Sequence, residues 1–119
     1  MITADNPSET ALFQSFDWLL IDGIPAFDGI FCNTDILACR VYRYLSQRGV
    51  HIPEEVQLIG FDGIMNFVTD TMLCSSIVQP IHQIAGIAVE TLFHKDSPAW
   101  SSVICLPVHF SEGGTTRTV

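Results

Sequence analysis

Two polar clusters in the sequence each follow a short apolar run. Asn33, Thr34 and Asp35 follow the first run, and Asp62 and Gly63 follow the second. Short apolar runs that stop at Gly, Asn or Asp are typical of buried strands. At the carboxyl ends of parallel strands, carboxylates and amides suit a small ligand rich in hydroxyls, because they accept hydrogen bonds from it. The two clusters therefore predict one binding site for a polar molecule such as a sugar.

The same residues also have structural explanations. Asp35 or Thr34 could be the N-cap of the helix that follows, and capping is the more common role of an aspartate at such a position. Asp62 could likewise cap a short turn after Gly63. Asn33 could be a turn residue and nothing more. The pattern alone leaves these alternatives open.

Groups that would support catalysis or metal binding do not cluster in the sequence. None of the histidines neighbours a serine or cysteine nucleophile; they are His51, His82, His94 and His109. The cysteines lack metal-ligand spacing and indicate reduced, buried thiols; they are Cys32, Cys39, Cys74 and Cys105. The glycines match neither a dinucleotide-binding nor a phosphate-binding loop. We expect no enzyme activity, no cofactor and no metal.

Composition restricts the partners. The 119 residues allow one domain, and a net charge of −8 should repel the phosphates of nucleic acids. Charged residues make up 15%, where an ordinary soluble domain has about a quarter. We therefore expect part of the surface to be covered by another domain or subunit. No apolar stretch reaches the roughly 20 residues of a membrane span, and no export signal is visible at the N-terminus.

Helices and strands alternate along the predicted chain. The pattern predicts helices over 7–22, 35–48 and 81–93, and strands over 27–32, 56–61, 75–79 and 102–110. A short helical turn is expected over 63–70 and a polar, frayed tail over 112–116. The order strand, helix, strand predicts a parallel pair whose carboxyl ends lie at the same edge of the sheet. The fold class is therefore α/β with a parallel sheet.

Two apolar or aromatic patches indicate a protein partner. One lies on the outer side of the second helix, and the other on the segment after Asp62; they contain Arg40, Tyr42, Arg43 and Tyr44, and Met65, Phe67, Val68, Met72 and Leu73. Alternatively, the two arginines are solvated and Tyr44 packs inward. Both explanations fit the spacing equally well.

Several longer motifs have a recognisable order. Residues 27–38, FDGIFCNTDILA, are similar to D-A-I-F-x-x-N-D-x-x-A, and residues 48–62, RGVHIPEEVQLIGFD, to R-G-x-x-(I/V)-P-x-D-(I/V)-x-(I/V)-(I/V)-G-(F/Y)-D. SSIVQP at 75–80 is similar to T-T-(I/V)-x-Q-P, and LP at 106–107 with TTR at 115–117 to L-P…R-x-S-T-R. From residue 13 to residue 117 the chain thus resembles lactose-repressor-type (LacI/GalR) bacterial transcription regulators.

The resemblance implies a fold and a function. Such regulators have a helix-turn-helix headpiece and a periplasmic-binding-protein-like core of two α/β lobes. Residues 1–119 resemble the latter part of the C-terminal lobe, a three-layer sandwich around a parallel sheet, without the headpiece or the N-terminal lobe. The implied protein is a cytoplasmic, dimeric, sugar-responsive repressor that contacts operator DNA only through its headpiece and does not contact membranes. The alternative is a fragment of an exported sugar-binding transport protein of the same fold.

The resemblance also implies roles for individual residues. Asp62 matches the aspartate that bonds effector hydroxyls, Thr34 lines the cleft beside Asn33, and Asp35 both caps and contacts. Asn6 lies where some relatives carry an Asp-Phe pair, so the aromatic contact is missing, and Gly113 replaces an arginine. The implied dimer interface contains Cys39, Tyr42, Arg43, Met65, Phe67 and Met72.

Overall fold

The computed structural model of the protein describes residues 9–17, 19–64, 68–69, 72–94 and 103–118. Its helices and strands follow in the order α1 (Glu9–Asp17), β1 (Leu20–Ile21), β2 (Ile24–Pro25), β3 (Gly29–Phe31), α2 (Asp35–Ser46), β4 (Gln57–Asp62), β5 (Ser75–Val78), α3 (Ile81–His94) and β6 (His109–Ser111). Asn6, Met65 and Phe67, which the sequence places in the site or the interface, lie outside the described residues, as does half of the turn predicted over 63–70.

A four-stranded sheet in the order β3-β4-β5-β6 positions the predicted site. β3, β4 and β5 are parallel, whereas β6 runs antiparallel to β5. Phe31 pairs with Ile59, and Ile59 pairs with Ser75. The predicted parallel strand-helix-strand unit is thus confirmed, and the carboxyl ends of its strands meet at one edge.

Helix α2 covers one face of this sheet. Its start follows from Thr34, whose extended backbone and side-chain oxygen make it the N-cap: Oγ1 accepts the backbone N–H of Leu37 at 3.1 Å. Its buried side chains recur three and four residues apart and meet the start of β4 and the residue before it; they are Ala38, Val41 and Leu45, against Leu58 and Val56. Burying each of the larger ones stabilises the fold by roughly 1.5–3 kcal/mol. This packing fixes the N-terminus of α2 beside the end of β4.

The predicted first helix ends five residues early. α1 stops at Asp17, and the next residues form a small hairpin in which Leu20 pairs with Pro25. Asp22 and Gly23 both have positive φ, 53° and 80°, which is the geometry of a two-residue hairpin turn. The helix prediction was wrong here because the apolar spacing of the hairpin strands imitated a helical face.

The tail predicted to fray is docked against the sheet. Thr115 is completely buried. Its Oγ1 donates to the carbonyl of Leu58 at 2.6 Å and accepts the N–H of Ser75 at 2.9 Å, while its own carbonyl accepts the N–H of Leu58 at 2.8 Å. The segment therefore supplies hydrogen-bond partners at the start of β4, before the pairing of β4 with β5 begins at Ile59. The frayed-tail prediction was wrong because a polar composition does not show which hydroxyls find buried partners. The strand predicted over 102–110 is also shorter in the structure, where β6 spans His109–Ser111.

Large apolar areas are uncovered. Leu92 and Phe93 of α3 are 74% and 81% exposed, and Phe31 and Phe110, on the sheet face opposite α2, are 62% and 49% exposed. The molecule extends over 60 × 30 × 24 Å with a radius of gyration of 18.0 Å, where a compact domain of this length has about 13.5 Å. The apolar side chains of α3 are thus not buried by the described residues.

The cysteines differ in their surroundings. Cys32 and Cys74 are buried and Cys39 is half-buried, whereas Cys105 is exposed. All four are thiols rather than halves of disulfides. Burial was therefore wrongly predicted for Cys105, since its apolar neighbours Val103 and Ile104 are themselves exposed. Within the described ranges, no helix has the length and apolar character needed to cross a membrane.

Candidate functional site

The carboxyl ends of β3 and β4 bring the two polar clusters together, as the sequence predicts. The N–H of Cys32 donates to the carbonyl of Ile59 at 2.8 Å, which extends the pairing of the two strands up to the clusters. Asn33 is exposed at this edge and Thr34 is half-buried. The oxygen of Thr34 already accepts the N–H of Leu37, so its hydroxyl proton and one remaining lone pair are what it can offer to a ligand.

Asp62 ends β4 with an unusual backbone. Its φ is 110°, a conformation that residues other than glycine rarely adopt. Its Oδ1 accepts the side-chain amide of Gln79 at 2.8 Å, and its carbonyl accepts the N–H of Gln79 at 3.4 Å. Gln79 was missed as a site residue from the sequence. The signal for it was its position directly after β5, because β5 is parallel to β4 and ends at the same edge of the sheet.

Asp35 has a different role from those proposed for it. It is the first residue of α2, and Thr34 takes the capping position. Asp35 is 1% exposed, and its two oxygens accept the hydroxyl of Ser76 at 2.5 Å and the N–H of Ile64 at 2.8 Å. Since both carboxylate oxygens are engaged inside the protein, we assign Asp35 no direct contact with a ligand.

Two glycines make this arrangement possible. A Cβ atom at Gly60 would lie 2.3 Å from Oδ1 of Asp35, so only glycine lets the carboxylate approach β4. Gly63 has a φ of 75°, and a Cβ there would lie 2.6 Å from a methyl group of Val78. The N–H of Gly63 also donates to the hydroxyl of Ser76 at 3.2 Å. The two glycines of the GFDG sequence at 60–63 are thus explained by the close approach of Asp35 to Gly60 and of Val78 to Gly63.

The predicted interface residues on α2 differ in exposure. Arg43 is exposed, while Cys39 and Tyr42 are half-buried against the core. Met72, from the second predicted patch, is also half-buried. All four are accessible in part, and the structure of a single chain leaves their role in a dimer a prediction.

Tyr44 packs inward, which was the structural alternative. Its ring stacks on Phe13 at a centroid distance of 4.5 Å, and the guanidinium of Arg48 lies 3.5 Å from the ring centre. The hydroxyl of Tyr44 donates to the carboxylate of Asp17, and this bond, aided by Arg48, holds the pKa of Asp17 below its usual value. The cluster attaches α1 to α2 and has no part in the site.

Potential metal ligands are dispersed in the described part of the chain. Among those residues, no three His, Cys, Asp or Glu side chains are grouped so that they could hold an ion. What the edge of the sheet offers is a carboxylate, an amide and a hydroxyl, and these groups exchange hydrogen bonds with a neutral polyol.

Comparison with known proteins agrees with this geometry. Residues 2–116 match the family of periplasmic binding protein-like domains. The ribose operon repressor of Bacillus subtilis is 33% identical over 116 residues, which are 92% of this chain and 36% of the repressor. The chain thus spans about a third of that relative's length.

Solved structures give the same result. A periplasmic binding protein/LacI transcriptional regulator from Alkaliphilus metalliredigens, complexed with D-xylulofuranose, superposes with a TM-score of 0.71 at 29% identity, covering 98% of this chain and 44% of that one. A LacI family regulator from Enterococcus faecalis with bound ribose gives a TM-score of 0.70 at 28% identity, with coverages of 93% and 41%. The chain belongs to the family of periplasmic binding protein-like domains, in the form that LacI-type transcriptional regulators share.

Proposed function

We propose that residues 1–119 are the latter part of the C-terminal lobe of the effector-binding domain of a cytoplasmic, sugar-responsive LacI-type repressor. The observation that carries this proposal is the pair of Asp62 and Gln79 at the carboxyl edge of the sheet, beside Asn33 and Thr34. Support comes from the similar regulators that hold D-xylulofuranose and ribose. The relatives are repressors, and we propose no enzyme activity for this protein.

Sugar recognition at this edge follows from hydrogen-bond chemistry. Gln79 occupies Oδ1 of Asp62 and thereby fixes the plane of the carboxylate, which leaves Oδ2 to accept a sugar hydroxyl. Hydrogen bonds to a charged acceptor are worth about 1.5–3 kcal/mol, roughly twice those between neutral groups. The hydroxyl of Thr34 and the amide of Asn33 add neutral bonds from the adjoining strand end. A sugar is therefore the ligand class we assign.

The rest of the cleft belongs to other parts of the complete protein. The exposed apolar side chains of α3 and the uncovered sheet face support this, since a self-sufficient domain of this length buries such surfaces. The net charge of −8 makes operator binding by this segment unfavourable. We therefore assign DNA contact to a separate headpiece, and we expect the isolated segment to bind sugar weakly.

The repressor acts as a homodimer in this proposal. We assign the contact to Cys39, Tyr42 and Arg43 on α2 and to the segment that contains Met65, Phe67 and Met72. Light scattering of the complete protein tests it. The variant Arg43→Glu should dimerise less than wild type. The control Gln83→Ala, at an exposed position of α3, should dimerise as wild type does. A wild-type protein that stays monomeric at high concentration contradicts the assignment.

Calorimetric titration of the complete protein tests the effector site. Ribose, xylulose and sucrose are the first ligands to try, with Asp62→Ala as the site variant and Asp28→Ala, an exposed aspartate before β3, as the matched control. Loss of the charged hydrogen bond should weaken binding about tenfold or more. Equal affinity of Asp62→Ala and wild type would show that Asp62 is structural, and failure of all sugars to bind would overturn the proposed function.

A further inference from the structure

The buried carboxylate of Asp35 touches three separate parts of the chain. Asp35 begins α2, accepts the hydroxyl of Ser76 on β5 and accepts the N–H of Ile64 after β4. At 1% exposure it has no access to solvent or ligand. A buried charge is retained only where its hydrogen bonds are complete, so this carboxylate has a specific task in the fold.

The hydroxyl of Ser76 is the centre of the network. It donates to Oδ1 of Asp35 and accepts the N–H of Gly63 at 3.2 Å, while Oδ2 of Asp35 takes the next N–H, that of Ile64. Two successive backbone N–H groups after Asp62 are thereby fixed from one buried point. Ser76 is itself 4% exposed, so the network is shielded from competing water.

The backbone that this network holds is one that would relax without it. Asp62 and Gly63 have φ values of 110° and 75°, and the first of these is unfavourable for any residue with a Cβ. Such conformations persist only where the surroundings enforce them. The two N–H groups fixed by Ser76 and Asp35 belong to Gly63 and Ile64, the two residues after Asp62, so they determine where the Asp62 side chain points.

We propose that Asp35 and Ser76 are positioning residues of the effector site, which hold the turn over 62–64 so that the Asp62 carboxylate faces the sugar. This inference rests on the proposed function only for the identity of the ligand. The control of the turn by Asp35 and Ser76 is a property of the fold. It explains why an aspartate at the start of α2 is buried against Gly60, where a Cβ would prevent its approach.

Amide hydrogen exchange of the complete protein, without sugar, tests the control of the turn. Ser76→Ala removes the acceptor of the Gly63 N–H, and Asp35→Asn replaces one carboxylate oxygen by an NH2 group, which weakens the acceptor of the Ile64 N–H. Exchange at Gly63 in the first variant and at Ile64 in the second should each become about tenfold faster or more. Ser46→Ala, at the exposed end of α2, is the matched control. The N–H of Leu58, bonded to Thr115, should keep its rate in every variant that folds. Unchanged exchange at both Gly63 and Ile64 overturns the inference, whatever the ligand.

Ribose affinity in a double-mutant cycle tests the link to Asp62. Ser76→Ala should weaken binding about tenfold in the wild-type background and have almost no further effect in Asp62→Ala, since the two act through one side chain. Additive losses would show that Ser76 acts independently, and would overturn the positioning role. If wild type binds none of the sugars, the proposed function fails, and the exchange rates at Gly63 and Ile64 still decide whether the network holds the turn.

Discussion

The side chain of Gln79 donates to the carboxylate of Asp62 at 2.8 Å, across the ends of two parallel strands. Asp62 is the last residue of β4, and Gln79 follows β5 directly. The bond therefore depends on the register of the two strands, in which Asp62 pairs with Val78. It connects the candidate effector site to the sheet rather than to a loop, which suits a group that must keep one orientation.

Gln79→Ala should weaken effector binding and lower stability only slightly. The variant frees Oδ1 of Asp62 and lets the carboxylate rotate, so we expect about a tenfold loss of affinity and roughly 1 kcal/mol of unfolding free energy. Gln83→Ala, an exposed glutamine on α3, is the control. Calorimetric titration with ribose and urea unfolding measure the two quantities. An affinity equal to that of wild type would mean that Gln79 does not orient Asp62.

Thr115→Val should destabilise the fold strongly. Valine has nearly the same shape but leaves the buried carbonyl of Leu58 and the N–H of Ser75 without their partner. Each buried group left unsatisfied costs about 1–3 kcal/mol, so the loss should be several kcal/mol. Thr118→Val, at an exposed threonine of the same segment, should change little. Urea unfolding of both variants makes the comparison, and equal midpoints would contradict the docked tail.

Two glycine substitutions should act in opposite directions. Gly113→Ala would place a Cβ 2.4 Å from the carbonyl of Leu73, so the tail must move away from β5. Gly86→Ala lies in the middle of α3 with open space around it, and should stabilise the helix by about 0.5–1 kcal/mol. Thermal unfolding should show a lower midpoint for the first variant and a higher one for the second. A tolerated Gly113→Ala would mean that the tail does not lie against β5 in solution.

The thiols should react in the order of their exposure. Cys105 is exposed, whereas burial raises the pKa of the Cys32 thiol to about 12, so that almost none of it is thiolate at pH 8. Iodoacetamide should therefore label Cys105 first and Cys32 last in the native protein. Peptide mass spectrometry at timed intervals follows the labelling, with the protein in denaturant as the control in which all thiols react. Early labelling of native Cys32 would contradict its burial.

Stability should fall as the pH rises above about 9. The folded protein keeps the proton of Cys32 up to a pKa of about 12, while the unfolded chain loses it near the ordinary value of 9.0. The unfolded state then binds fewer protons, so the contribution present below pH 9 is lost progressively between about 9 and 12. Urea unfolding from pH 8 to pH 11 should show a shallower decline for Cys32→Ala than for wild type. Cys105→Ala, the control, should decline as wild type does.

Local patterns predicted much of the fold. Thr34, the apolar spacing of Val41 and Leu45, and the short apolar run of β4 define the strand-helix-strand unit, because capping and periodicity act within a few residues. The hairpin at Asp22 and the docking of Thr115 were missed. The apolar spacing around Asp22 fits both a helix and a hairpin, and the polar composition around Thr115 fits both a frayed and a docked tail. Only contacts between residues distant in the sequence decide between these alternatives.

The site was predicted in part for the same reason. Asp62 ends β4, and Asn33 and Thr34 follow the end of β3, so the parallel arrangement alone brings them together. Gln79 and Ser76 join the site only because β5 lies beside β4, and a single strand's sequence does not specify its neighbours. The buried position of Asp35 depends on Gly60 in the facing strand, which sequence spacing does not reveal.

The docking of Thr115 affects the order of folding during synthesis. The hydroxyl that closes the sheet at Leu58 comes from a residue 57 positions later in the chain. Until the ribosome has made that residue, the carbonyl of Leu58 and the N–H of Ser75 lack their native partner, and the start of β4 is open to pairing with other chains. A nascent chain of this protein thus passes through a stage at which α2 can already pack, but the start of β4 still lacks the segment that completes the sheet.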